Sequence, residues 1–143
     1  MGTRSLTFVY DGEEPIINMY RQYDGYPSGH GAEIAEFLAP FTLVNGLQLG
    51  ETRKVANGMG CLAAQLVANF KESAGGFYLY PTSAVDCGQD YEYHIYNKDG
   101  ELRLAITNRG CNFFGLTQSD VNESIFEGNL EEFTAFCTEK ETA

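Results

Sequence analysis

The chain has no tryptophan, only two histidines, four cysteines, and nine lysines and arginines among 143 residues. Each scarcity bears on function. Nine bases against 20 acids leave a net charge of −11, which argues against a non-specific nucleic-acid binder, because that affinity comes from neutralising phosphates with Lys and Arg. Cys61, Cys87, Cys111 and Cys137 form no C-x-x-C or C-x-x-H pair, the spacings a zinc site draws on. No apolar run approaches the length of a membrane span, and no charged-then-apolar leader opens the chain, so a cytoplasmic protein with reduced thiols is expected. The phosphate-loop, nucleophile-elbow, H-E-x-x-H and deaminase signatures are all missing. Gly58-Met59-Gly60 lacks the third glycine of a dinucleotide fingerprint. No cofactor and no metal is expected.

What is present is apolar and aromatic. Hydrophobic residues make up 43%, with nine Tyr and ten Phe, enough for one compact domain spanning 1–143. Ser5 to Tyr10 and Ile16 to Tyr23 read as a hairpin around Asp11-Gly12. Ala32 to Leu38 has helical spacing and is stopped by Pro40, residues 41–55 read as a loose connection, and 58–72 carries a broad apolar stripe through Met59, Leu62, Ala63, Leu66, Val67 and Phe70. Phe77 to Tyr80 is a short strand. Tyr91 to Asn97 and Glu101 to Asn108 form a second hairpin about Asp99-Gly100. Phe113 to Leu116 is expected to return apolar side chains to the sheet, and 119–143 reads as an acidic helical segment that includes a final helix from Leu130 to Cys137. This order predicts an α+β fold: an antiparallel sheet built from two hairpins plus a short strand, with helices packed on one face.

The densest cluster of functional residue types is "YRQYDGYPSGHG", residues 20–31. Asp24-Gly25 and Pro27 impose turns, Gly29 and Gly31 allow close backbone approach, and Tyr23 and Tyr26 offer flat amphipathic surfaces. Ser28 and His30 precede a helix N-terminus, where an anion is favoured. The same loop also reads as a tight corner packed by its own tyrosines. A second cluster, His94, Tyr96, Arg103 and Arg109, falls on and after the later hairpin, and the planar fork of arginine suits phosphate.

The opening "MGTRSLT" together with the D-G-Y-P-x-G-x-G loop resembles a family of small phage and bacterial proteins, over roughly the first 40 residues. The resemblance transfers no catalytic role to Asp24, Tyr26 or His30. Phage proteins of this size include counter-defence sponges, oligomers that sequester cyclic nucleotides or cyclic ADP-ribose derivatives without cleaving them. By that analogy the chain is expected to be a homo-oligomer that binds a small nucleotide-like ligand. Arg21, Tyr23, Asp24, Tyr26, Ser28, His30, Tyr96, Arg103 and Arg109 would contribute to the pocket, with Tyr26 stacking on the base and the arginines on phosphate. The alternatives are a hydrolase or transferase on a similar ligand, using His30 with Asp24 or Glu33, and an inhibitor that presents an acidic helix, Glu123 to Glu141, to a basic protein surface. Neither a duplex nucleic acid nor a membrane is an expected partner.

Overall fold

The computed structural model describes residues 2–51, 53–72, 74–109 and 123–142. Its elements are β1 (Ser5–Asp11), β2 (Glu14–Arg21), a π-helical turn (Pro27–Gly31), α1 (Ala32–Leu38), β3 (Thr42–Val44), β4 (Val55–Asn57) and α2 (Gly58–Phe70). They continue with β5 (Phe77–Tyr80), β6 (Tyr91–Lys98), β7 (Glu101–Asn108), β8 (Glu123–Asn129) and α3 (Leu130–Thr142). The expected α+β class holds. Six strands form one sheet in the order β5-β2-β1-β6-β7-β8, and β3 and β4 pair separately.

One pairing departs from the expectation. β1 and β6 run parallel, Ser5 opposite Tyr91 through Val9 opposite Ile95, so the two hairpins join at the centre of an otherwise antiparallel sheet. Residues 81–90 therefore carry the chain from edge strand β5 past β2 and β1 into β6. They cross the sheet face that bears no helix: Asn18 Nδ2 donates to the Pro81 and Ala84 carbonyls at 3.1 and 2.8 Å, and Cys87 packs with Leu6, Phe8 and Tyr20. This strap buries Leu6 and Phe8, which would otherwise be an apolar patch on an open face.

The opposite face carries the main core. Val9 and Met19 of the first hairpin and Tyr93, Ile95, Leu104 and Ile106 of the second pack under Ile34 and Leu38 of α1, Leu62 and Leu66 of α2, and Phe133 and Cys137 of α3. The 3-4-3 stripe on α2 is buried as its spacing predicts, from Met59 to Phe70.

Two readings of the sequence are corrected. Residues 41–55 are not wholly loose, because Thr42–Val44 runs parallel to Val55–Asn57. The acidic segment is not helical throughout: Glu123–Asn129 is strand β8, zipped onto β7, while the final helix begins at Leu130 as expected. Asn129 sets that boundary. Its Oδ1 accepts from Glu132 N–H at 2.9 Å while its own N–H donates to Glu132 Oε1 at 2.9 Å, a reciprocal capping box. Phe113 to Leu116 lies outside the described residues.

Candidate functional site

The 20–31 loop resolves into a corner and a buried polar network. At the corner, Asp24 adopts φ of 61°, Gly25 N–H donates to the Thr3 carbonyl at 2.9 Å, and the buried Tyr93 hydroxyl donates to the Gly25 carbonyl at 2.6 Å. Burial pushes the Tyr93 phenol well above its ordinary range, so it serves as a donor. Gly29 and Gly31 are required by crowding: an added Cβ would come within 2.6 Å of the Asp24 carbonyl oxygen at Gly29 and within 2.6 Å of Cys137 Sγ at Gly31. Tyr26 lies against Gly29, and its hydroxyl is 3.3 Å from Asp24 Oδ1. The exposed rings of Tyr23 and Tyr26 line neither of the hollows described below, and Ser28 is only half-buried beside them.

His30 is fully buried between Thr7 and Arg21. Its Nδ1 is 3.0 Å from Arg21 Nη1, and its Nε2 is 2.7 Å from Thr7 Oγ1. A guanidinium only donates, so Nδ1 accepts and Nε2 carries the proton. Burial, and then the Arg21 charge, hold the imidazole well below its ordinary pKa of 6.5. Arg21 is itself fully engaged: Nε donates to the Tyr23 carbonyl, Nη1 and Nη2 reach Glu33 at 2.9 and 3.3 Å, and the guanidinium lies 5.0 Å from the Phe77 ring centroid. The sequence proposed His30 with Glu33 as an acid–base pair and Arg21 as a phosphate ligand. The structure brings the three together in another arrangement, in which Arg21 separates His30 from Glu33 and is neutralised by it.

That network floors a groove of about 540 Å³ between α1 and the C-terminal end of α2. Phe37, Phe70 and Phe77 supply its aromatic surfaces, Glu33, Glu36 and Glu72 its acidic rim, and Lys54 and Asn69 its far wall. Its volume falls within the range of small-molecule sites, and its lining is more polar than is usual for them. Sequence reasoning missed Phe37, Lys54, Asn69, Phe70 and Phe77 as site residues. Phe37 and Phe70 read there as apolar helix positions, and nothing local marked the other three.

The second predicted cluster lies elsewhere. Tyr96 faces Arg103 across β6 and β7 on the open face, opposite the helices, so the sheet separates both from His30. Arg103 Nη1 donates to Glu101 and the Tyr96 hydroxyl to Glu127, each at 3.0 Å. Arg109 Nη1 donates to the buried Glu92 at 2.6 Å. One pocket combining the loop with Arg103 or Arg109 is therefore not formed within a chain.

Glu92 instead anchors a relay. Burial raises its pKa, but hydrogen bonds from His94, Gln89 and Arg109 outweigh that and hold the carboxyl below its usual range. His94 Nε2 lies 3.4 Å from Glu92 Oε1, and His94 Nδ1 lies 2.7 Å from the Tyr10 hydroxyl. The result is a carboxylate, imidazole and phenol in line. Among the described residues, no group of three or more His, Cys, Asp or Glu is placed to hold a metal, and no helix is long and apolar enough to cross a membrane. Comparison with family models, curated proteins and solved structures finds no match to this chain.

Proposed function

We propose that the protein binds a small nucleotide-like ligand without converting it, and that the ligand lies in the groove between α1 and α2. The observation that carries this reading is the groove's composition, an aromatic floor beneath a rim of carboxylates. Flat rings stack on such a floor, and sugar hydroxyls and ring amines donate to such a rim. The imidazole beneath the groove is not a poised base: His30 is buried, neutral and bonded at both nitrogens. Sequestration without cleavage also follows the analogy, by size, with phage counter-defence sponges. Self-association is assigned to sheet edge β5, where Tyr78 and Leu79 are exposed. Lys71 Nζ blunts part of that edge by donating to the Phe77 carbonyl at 2.7 Å.

The test is native mass spectrometry of the protein mixed with a panel of nucleosides and nucleotides, followed by heat release and mass analysis of the ligand. Intact ligand is expected from the wild type, and none from Phe70→Ala. The same spectra report the mass of the assembly. Release of a converted product would contradict the reading.

An enzyme is the second reading, and one observation favours it: the Glu92, His94 and Tyr10 relay on the open face. There His94 Nδ1 can accept the phenol proton while Glu92 steadies the imidazole. A product whose formation is lost in His94→Phe would support it.

A further inference from the structure

We infer that the ligand is a nucleoside monophosphate lying across two hollows, its ring and sugar on the Phe70 and Phe77 floor and its phosphate at Arg53 and Lys54. The inference rests on the groove reading above and names the ligand class.

The groove continues past Phe37 into a second hollow of about 520 Å³, and the two share Phe37, Lys54 and Asn69 in their walls. Their charge balance differs, although Arg21 and Lys54 also line the first. Three carboxylates border the first hollow, whereas none lines the second, which carries Arg53 and Lys54 beside Phe41 and Gln65. Carboxylates attract hydroxyl and amine donors and repel phosphate; two cations do the reverse. A ligand that satisfies both is flat and donor-rich at one end and anionic at the other. An aminopurine nucleotide has this shape, and Asn69 at the junction offers both a donor and an acceptor to its ring edge.

The cations are positioned for this. Lys54 Nζ stands 5.9 Å from the Phe41 ring centroid at the meeting point of the hollows. Arg53 holds Glu51 through Nε and Nη2 at 2.8 and 3.0 Å, and its Nη1 donors have no partner among the described residues. A phosphate bonded to Nη1 would leave both Glu51 bonds intact. Arg21, the base under the first hollow, is buried and bonded to His30 and the Tyr23 carbonyl as well as to Glu33, whereas Arg53 is exposed, so the phosphate end is directed away from Arg21.

Calorimetric titration of adenosine and adenosine 5′-monophosphate into the wild type and the Arg53→Gln/Lys54→Gln double variant tests this. Both substituted side chains are exposed, so the fold is not at stake. The nucleotide is expected to bind the wild type about tenfold more tightly than the nucleoside at low salt. In the double variant the difference between the two ligands closes, whatever the change in adenosine affinity at Lys54, which also lines the first hollow. Equal affinity in the wild type, or a gap that persists in the variant, overturns the inference while leaving the groove reading intact. Failure of adenosine to bind the wild type overturns both.

Discussion

His30 is a fully buried imidazole whose neutrality is enforced from both sides, and this has a measurable consequence. The unfolded chain takes up a proton near pH 6.5, whereas the folded chain resists it because burial and Arg21 depress the pKa. Stability is therefore complete above about pH 6.5 and falls as the pH drops below it, by up to about 1.4 kcal/mol per pH unit, until the folded pKa is reached. His30→Gln removes that contribution. Urea titrations between pH 7.5 and 5 are expected to show a steeper loss for the wild type than for the variant. Parallel curves would mean that His30 is not held neutral. Tyr26, the loop residue first assigned to stacking, is expected to matter little to binding, because its ring lies on Gly29 outside the groove.

Among the elements, the π-helical turn packs closely against α3. Gly31 touches the buried Cys137, whose thiol is pushed up to about 12 by burial and is an inert packing group. Gly31→Ala forces a methyl into that contact and is expected to cost about 1–3 kcal/mol. Adding Cys137→Ala opens the space, so the double variant should be more stable than the two separate losses imply, by a thermal or urea double-mutant cycle. Additive losses would show that the turn relaxes elsewhere. The same comparison shows what the sequence reveals about elements. Repeated spacing exposed α2 and Asp99-Gly100 exposed the second hairpin, because those signals are local. β8 stayed hidden because its Ile125-Phe126 pair sits among acids, and it becomes a strand only by zipping onto β7. The helix start at Leu130 was legible, and the Asn129/Glu132 box is what fixes it.

At the scale of the whole molecule, the sheet divides two chemistries. The helix side holds the His30 network and the groove above it; the other side holds the strap 81–90 and the Glu92, His94 and Tyr10 relay. This division follows from the parallel pairing of β1 with β6, residues some 86 apart in the chain that share no local signal. The candidate site was illegible for the same reason, since Arg21, Glu36, Lys54, Asn69 and Phe77 come from five separate segments. The loop's glycines and tyrosines were legible, and most of them build the corner that sets His30 in place. The most direct test of the account is to add adenosine 5′-monophosphate to isotopically labelled protein and map the amide shifts. The account predicts changes concentrated at Phe37, Lys54, Asn69, Phe70 and Phe77, undiminished by Tyr26→Ala. Changes centred on Tyr10, His94 and Arg109 would contradict it and place the function on the open face.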